Sequence, residues 1–484
     1  MKMKILIVAI LASLGSTAQG QTVSELQQAL AQAQKAAADA QKAAQQAQDA
    51  LAQILAASKA QTAAATVPVR AAALTTDQNG VPLTSTNNSV TLYSSSDTSL
   101  RMYGLLEATI SDVNHQTASG GTAAGFQTAW FSGNRLGFDA EHALAVGDDL
   151  GLANLKIIAK LESEFELPTG NMDTANVFFN RDAWLGVYSD QLGKITLGRQ
   201  NTLTRDFTQT WGDPYGTADV SLKEGGYSNV NNFKQFIFYS AGATGTRLNS
   251  AVEWKKKLNE HWVAGLGYGF GSGGSGGSGD VGNGGGTPGD FTKGTTQEAS
   301  IAYNGAQLGE ARLSANLSFD RANVADLIHQ STLIGGNVTL GAFRFNTGLA
   351  HYTAQQGVNN SMGTRTDNSW TTSMSYQVTP KVEFDLGYQR MKGDHAGFGG
   401  GGTTLNPFGN TSGVTAVADG SKRTVYSSII YHLDRQTDLY LAADSFSVSG
   451  GWVVGDAQGN GNHFGAGNPN SSEMEAAMGI RFKF

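Results

Sequence analysis

The chain contains no cysteine and only 8 prolines among its 484 residues. The absence of cysteine excludes disulfide bonds, thiolate metal sites and thiol nucleophiles. No run of 18 apolar residues occurs either, which is about the length that a helix needs to cross a bilayer. If this protein lies in a membrane, it therefore does not cross that membrane as helices.

The hydrophobic fraction is also low, at 40%, whereas glycine is abundant, with 62 residues. High glycine content combined with alternating aromatic segments favours a large β-protein over a helical enzyme. The sequence has no GxSxG or HExxH motif, and its 8 histidines are mostly isolated. The glycine-rich stretch 271–290 lacks the Lys-Ser/Thr ending of a phosphate-binding loop. We therefore predict no catalytic residue, no metal site and no cofactor.

The first twenty residues have the pattern of a cleaved signal peptide. Lys2 and Lys4 precede the apolar run 5–14, and Ala18 and Gly20 form a small-x-small cleavage site. A membrane anchor is the alternative, but the apolar run is about half the length required. Removal of the two lysines changes the formal charge from −7 to −9. Nucleic acid is therefore not an expected partner.

Residues 21–60 are predicted to form a helical coiled coil. Thr22 and Glu25 make a capping box, and a heptad seam follows. Its members are Val23, Leu26, Leu30, Ala33, Ala37, Ala40, Ala44, Ala47, Leu51 and Ile54. The alternative is a single Ala-rich helix that lies on another surface. Residues 61–97 are predicted to be a linker.

From residue 98 onward, apolar and polar residues alternate with a period of two. Sixteen such segments lie at 98–113, 127–143, 151–166, 177–189, 193–200, 246–257, 261–270, 294–304, 306–320, 327–341, 343–355, 368–379, 381–393, 421–434, 437–450 and 472–484. Short links, including 304–305, alternate with long polar loops. This pattern is typical of outer-membrane barrels, which must close to pair every backbone group in lipid. The prediction is a 16-stranded antiparallel transmembrane β-barrel over 98–484, preceded by an α-helical coiled coil.

The last strand shows the alternation clearly. Met474, Ala476, Met478, Ile480, Phe482 and Phe484 share one face. That face is expected to meet lipid, while Glu475, Arg481 and Lys483 face a wet lumen. Phe484 is expected to be an interfacial anchor and the signal that the barrel assembly machinery recognises.

Several stretches within 98–484 resemble the Gram-negative general porins, especially those of β-proteobacteria. They are LRMYGLLEATI (100–110), SGNRLGFDAEHAL (132–144), AKLESEFELPTG (159–170), FNRDAWLGV (179–187), KITLGRQNT (194–202), TRLNSAVEW (246–254), SKRTVYSSIIYHLDRQTDLYLAADSF (421–446) and the terminal FKF. The resemblance implies a homotrimeric channel whose third long loop folds inward and narrows the pore. The coiled coil is not part of the usual family pattern.

Strand parity predicts which side chains line the pore. Arg135, Arg181 and Arg247 are expected to face inward, and they match the basic cluster at the family's constriction. Leu105 occupies a fourth position that is basic in the family. Parity places Asp182, Trp184, Arg199, Leu248, Val252 and Trp254 outward, and Asn249 and Glu253 inward. The resemblance puts Arg199 at the trimer interface.

The inward loop is expected to span 201–245. Its acids are Asp206, Asp213, Asp219 and Glu224. Charges of both signs across a narrow wet gap would create a transverse field that admits polar solutes. The segment 231–242 is either an additional strand or a pore-lining stretch.

The predicted function is an outer-membrane porin for passive diffusion of ions and small hydrophilic solutes. A substrate-selective channel and a structural tether between outer membrane and cell wall are the alternatives, with a barrel enzyme a remote third. Expected partners are two further copies of the chain, outer-membrane lipid and lipopolysaccharide, and the barrel assembly machinery. Peptidoglycan is a candidate partner of the coiled coil, which is expected in the periplasm.

Overall fold

The computed structural model describes residues 89–115, 121–127, 130–131, 133–212, 247–270, 294–324, 326–398, 411–452 and 470–484. The predicted signal peptide and coiled coil lie outside these residues, as does most of the predicted linker. Within the described ranges, no helix is both long and apolar enough to span a bilayer.

The described chain is built almost entirely from antiparallel strands. They are β1 (Val90–Ser94), β2 (Thr98–Val113), β3 (Ala123–Gln127), β4 (Asn134–Ala143), β5 (Lys156–Phe165), β6 (Asp182–Ser189), β7 (Gly193–Asn201), β8 (Arg247–Lys257), β9 (Trp262–Gly269), β10 (Thr296–Leu308), β11 (Ala311–Val324), β12 (Leu327–Leu340), β13 (Phe343–Gln356), β14 (Gly363–Thr379), β15 (Val382–Phe398), β16 (Ala416–His432), β17 (Thr437–Gly450) and β18 (Ser472–Lys483).

Each strand from β4 onward pairs with the next, and β18 returns to pair with β2, from Glu475 opposite Val113 to Lys483 opposite Leu105. Strands β3 and β4 both pair with β2, along different parts of its length. They are two halves of one interrupted barrel strand. Counted this way, the described residues form a closed barrel of sixteen strands, which confirms the predicted architecture.

Strand β1 lies within the segment predicted as linker. It pairs with the start of β2, from Val90 opposite Met102 to Ser94 opposite Ser99. The pairing between β18 and β2 ends at Phe484, whose backbone exchanges hydrogen bonds of 2.7 and 3.0 Å with Gly104. Strand β1 pairs with the part of the same β2 edge that lies beyond this point. Two segments therefore share one edge of β2.

The connections alternate between short turns at one end of the barrel and mostly longer loops at the other. Short turns mark the periplasmic end. The predicted turn at 304–305 is wrong, because β10 continues through it with a register shift between Asn304 and Ala306. The turn falls instead at Gly309, whose φ of 62° lies in the left-handed region that favours glycine. Gly305 absorbs the bulge within the strand, also at positive φ.

Burial alternates along the strands as the sequence pattern predicts. On β18, Glu475 and Arg481 are buried inside the barrel, whereas Met474, Met478 and Ile480 are exposed on its outside. Aromatic rings stack on the outer face near the periplasmic turns. Examples are Phe343 on Tyr376 at 4.2 Å between ring centroids and Phe482 on Phe484 at 5.8 Å. Such rings are typical of the interfacial girdle of a membrane barrel.

Inward tyrosines lie over glycines of the neighbouring strand. Tyr103 is directly opposite Gly137, and Tyr426 is directly opposite Gly387. A β-carbon on either glycine would come within about 2.2 Å of the tyrosine ring. Glycine is therefore required at these positions because the rings lie flat on the wall, an arrangement that covers the exposed backbone of the glycines.

The described helices are short. They are α1 (Val146–Asp149), α2 (Leu203–Trp211) and a 3₁₀ turn at Val358–Asn360. Helix α2 follows β7 and packs on the inner face of strands β9 to β12. It therefore lies inside the barrel, against the wall formed by these strands.

Candidate channel constriction

One part of the inner wall is lined by ion pairs. Arg101 on β2 contacts Asp139 at 2.7 Å and Glu141 at 2.8 Å on β4, and Lys156 on β5 contacts Glu141 at 3.1 Å. These side chains alternate with outward apolar residues, so each pair forms across neighbouring strands. The inward charged residues of β2, β4, β5 and β6, together with Arg181, are called the ion-pair wall below.

Glu162 is at the centre of this wall. Its carboxylate accepts a hydrogen bond from Tyr103 at 2.7 Å and forms an ion pair with Arg181. Lys160, Arg181 and Arg135 are the positive charges that act on it. Of the arginines predicted at the constriction, Arg181 therefore forms an ion pair with this carboxylate, and the charge of Arg135 acts on it without a direct contact. Arg181 also binds Glu164, and only 3% of its side chain is exposed.

The outward predictions for Asp182 and Trp184 are wrong. Asp182 contacts Lys160 at 3.2 Å inside the barrel, and the Trp184 ring lies under the Lys194 ammonium at 4.3 Å. Leu185 is the exposed residue instead. The reason is that β6 begins at Asp182, so Arg181 enters the lumen from the preceding loop and does not set the parity of the strand.

A bulge changes the predicted orientation on β8. The register between β7 and β8 shifts between Gly198 and Gln200, and Ser250 has a φ of 48°. Leu248 is consequently fully buried opposite Gln200, although parity predicts it outward. Beyond the bulge the predictions are correct, since Glu253 is buried inside the barrel.

Arg247 and Arg199 lie near this bulge. Arg199 shares the outer face with Leu197, donates to the backbone oxygen of Asn180 at 2.7 Å and contacts Asn249 at 2.5 Å. Asn249 therefore does not line the lumen as parity predicts. The charges of Arg181, Arg205 and Arg199 act on the Arg247 guanidinium. Arg247 therefore lies within electrostatic range of Arg181, and sequence reasoning missed Arg205.

Helix α2 is fixed to the opposite part of the wall by its start and its apolar face. The Thr202 side chain caps the helix by accepting from the Arg205 N–H at 3.2 Å. The Leu203 N–H donates to Glu298 at 3.0 Å, and the Thr204 hydroxyl donates to Asp320. We call the inner face of β9 to β12 under this helix the helix-docking wall.

Apolar packing completes the attachment of α2. Leu203, Phe207 and Trp211 of the helix form a buried cluster with Val263 and Ala302 of the barrel. The rings of Phe207 and Trp211 meet edge to face at 4.8 Å. The end of the helix is held by Asn337 and Asn316, and Asn337 donates to the Gly212 carbonyl at 3.0 Å.

Asp206 is the one predicted loop acid within the described residues. Its carboxylate accepts from Lys255 on β8 at 2.5 Å and from Asn201 at 3.0 Å. Burial of the carboxylate raises its pKa, but the positive charge of Lys255 and these hydrogen bonds outweigh burial, so the pKa lies below its usual value. Asp206 is therefore ionised at neutral pH. The other predicted acids, Asp213, Asp219 and Glu224, and the segment 231–242 lie outside the described residues.

Sequence reasoning missed Lys255 and Lys160 as pore-lining residues. Their inward parity was readable from the alternation of β8 and β5. Each lysine contacts one acid on its own strand and a second acid from β6 or from α2, and only the folded barrel shows that second contact. In the described ranges, no group of three or more potential ligands is arranged to hold a metal ion.

An outer apolar surface, a charged lumen and a helix packed on the inner wall define a transmembrane barrel channel. The sequence profile of the Gram-negative porins matches residues 34–451. The chain belongs to this family, and it is accordingly an outer-membrane channel for passive diffusion of ions and small hydrophilic solutes.

Solved structures agree with this fold. An anion-selective porin from Comamonas acidovorans is similar with a TM-score of 0.57 and 18% identity, over 80% of this chain and 100% of that chain. OmpT, an outer membrane protein of Vibrio cholerae, is similar with a TM-score of 0.51 and 15% identity, over 81% of this chain and 99% of that chain. No curated protein sequence matches the chain significantly.

Proposed function

We propose that the channel is a general, weakly ion-selective pore whose narrowest part lies between α2 and the ion-pair wall. The observation that carries this proposal is the mixture of signs on that wall. It has five basic and six acidic described side chains: Arg101, Arg135, Lys156, Lys160, Arg181, Glu107, Asp139, Glu141, Glu162, Glu164 and Asp182. Because each basic group has an acid close by, neither sign dominates the local potential. This argues against strong anion selectivity, and no catalytic step is assigned to the lumen.

Arg135, Arg181 and Arg247 are proposed as the basic side of the constriction. Asp206 is proposed as part of the acidic side, together with Asp213, Asp219 and Glu224. The pairing of Asp206 with Lys255 reduces the field that this acid contributes.

Conductance across a planar bilayer tests this function. The purified chain should form stable, water-filled channels with weak selectivity and with no saturable preference among sugars. Arg135→Ala and Arg247→Ala should each shift the reversal potential in a salt gradient toward cations, because each removes a positive charge where screening is incomplete. Exposed Lys381→Ala, in a periplasmic turn, is the matched control. If correctly folded barrels showed no conductance, the proposed channel function would be wrong. If both variants had the reversal potential of the wild type, the constriction would not lie at these arginines.

The assembly is proposed to be a homotrimer with Arg199 at its interface. One solved form of the Vibrio cholerae protein OmpT is described as a trimer, at 15% identity and a TM-score of 0.50. Outward placement of the partly buried Arg199, held by Asn180 and Asn249, suits a protein contact better than lipid. Arg199→Ala should lower the temperature at which trimers dissociate on unheated gels. Arg321→Ala, another outward arginine on β11, should not do so, and equal behaviour of the two would contradict the assignment.

Phe484 is proposed as the contact for the barrel assembly machinery. The residues predicted to form a periplasmic coiled coil remain candidates for trimer formation or for binding to peptidoglycan. Cross-links engineered along the 23–54 seam would distinguish these two partners, since only a coiled coil joins subunits to one another.

A further inference from the structure

The outer surface of β15 and β16 carries two arginines directly opposite each other. Arg390 pairs with Arg423 in the strand register, and both side chains are exposed. Their neighbours along each strand, Gln389 and Lys422 among them, are buried inside the barrel, so both arginines point away from the lumen. In the described part of the chain, neither guanidinium has a hydrogen bond or an ion pair.

This arrangement is unfavourable by itself. Like charges directly opposite each other in an antiparallel pair repel, and cations on the lipid-facing surface of a barrel are costly unless they lie near the interface. An anion between the two guanidinium groups would remove the repulsion and would pair both charges. The unpartnered pair therefore indicates a negatively charged ligand from the membrane phase.

The height of the pair identifies the source of that anion. Arg390 lies eight residues beyond the start of β15 at Val382, which corresponds to roughly 20 Å along the membrane normal for a tilted strand. Below it on the outer face are apolar and aromatic residues. Trp370 is directly opposite Arg390 on β14, and its ring lies 5.4 Å from that of Tyr388. Such rings mark the membrane interface, so the pair lies at the outer-leaflet headgroups.

The surroundings on the same face are polar. Lys392 lies one outward position further along β15, where Asp394 contacts it at 3.3 Å. On β16 and β17 the outward neighbours are hydroxyls, and Ser421 and Ser449 hydrogen bond to each other at 2.7 Å. Hydroxyl and guanidinium donors together suit phosphate oxygens.

We propose that Arg390 and Arg423 bind a phosphate group of an outer-leaflet lipid headgroup. The two guanidinium groups bridge the phosphate, and Trp370 and Tyr388 contact the upper part of the acyl region. The site lies outside the channel. It therefore affects the position and stability of the barrel in the membrane and not the permeation of solutes.

Native mass spectrometry of the full chain in a neutral detergent tests this site. The probes are diphosphoryl lipid A, the same glycolipid without phosphates, and inorganic phosphate. The double variant Arg390→Gln/Arg423→Gln should bind diphosphoryl lipid A about tenfold more weakly or worse, because charge-assisted hydrogen bonds are lost. Arg321→Gln is the matched control, since this lone outward arginine on β11 is opposite Gln297 and Gln330.

A second readout distinguishes ligand binding from a merely structural role. In detergent without lipid, either single variant should melt at the same or a higher temperature than the wild type, because repulsion is relieved. With diphosphoryl lipid A, only the wild type should gain thermal stability strongly. The proposal would be overturned if the double variant bound the lipid as well as the wild type, or if Arg321→Gln lost as much binding. It would also be overturned if the dephosphorylated glycolipid bound equally well, or if inorganic phosphate alone occupied the site fully.

Discussion

The ion-pair wall and the helix-docking wall use the same kind of residue for different purposes. On the ion-pair wall, the carboxylate of Glu162 is balanced by Lys160 on the same strand and by Arg181 from the loop before β6. On the helix-docking wall, Glu298 and Asp320 instead accept hydrogen bonds from the start of α2. A helix start carries partial positive charge, so it substitutes for a basic side chain. Carboxylates of the ion-pair wall therefore pair with basic side chains, whereas Glu298 and Asp320 of the helix-docking wall fix the helix that packs there.

The largest expected effect concerns the helix-docking wall. Leu203→Asp should detach α2, because it places an unpaired carboxylate beside Glu298 in a fully buried apolar cluster, at a cost of at least about 3 kcal/mol. Single-channel conductance should rise, since the helix no longer narrows the lumen. Leu203→Met keeps the apolar volume and should behave like the wild type. A folded Leu203→Asp barrel with normal conductance would show that α2 does not narrow the pore.

The second effect concerns the ion-pair wall. Arg181→Ala leaves Glu162 and Glu164 without their shared partner, and breaking a buried pair typically costs roughly 3–5 kcal/mol. The reversal potential should shift toward cations by more than for Arg135→Ala, because Glu162 and Glu164 both lose an ion-pair partner. Arg181→Lys retains the charge and should recover most of the selectivity. If Arg181→Lys and Arg181→Ala give the same reversal potential, charge at this position does not control permeation.

The third prediction concerns the seam that joins the first and last strands rather than either wall. Deletion of Phe484 removes two backbone hydrogen bonds to Gly104 and an aromatic ring that lies over this glycine. The yield of heat-modifiable barrel should fall severalfold, while channels that do fold should conduct normally. Phe484→Tyr keeps the ring and the backbone and should assemble well. Normal outer-membrane levels of the deletion would argue against a role in assembly.

The smallest effect is expected for a carboxylate outside both walls. Asp434 lies in the turn between β16 and β17 and accepts from the N–H groups of Gln436 and Thr437, both at 2.8 Å. These hydrogen bonds hold its pKa below the usual value. A group with a lowered folded pKa stabilises above its unfolded pKa, and this stabilisation is lost as the pH falls through the folded pKa.

Asp434→Ala should therefore reduce the free energy of unfolding by about 0.5 kcal/mol at neutral pH, because the group is well solvated. The difference from the wild type should shrink as the pH falls below the usual carboxyl pKa and should vanish once the pH is below the lowered folded pKa of Asp434. Urea unfolding at several pH values measures it, with Asp434→Asn as the variant that keeps an acceptor but cannot titrate. A difference that persists undiminished at low pH would mean that charge plays no part in this turn.

The alternation in the sequence by itself determined the strands, the barrel and the lipid-facing side of strands such as β18. It did so because period-two alternation reports the inside and the outside of each continuous strand directly. It failed where the regular ladder of a strand is interrupted. These places are the start of β6, the bulge in β8, and the bulge after Asn304 in β10, which the sequence predicts as a turn.

Only the tertiary structure decided which charges meet. Arg181 reaches Glu162 and Glu164 from a loop, and Lys255 reaches Asp206 on a helix. Arg390 stands opposite Arg423 because of the register between two strands. Parity assigns a side chain to a face, but its partners depend on strand register and on where loops pack. These are set by long-range contacts across the barrel, and no local pattern in the sequence encodes them.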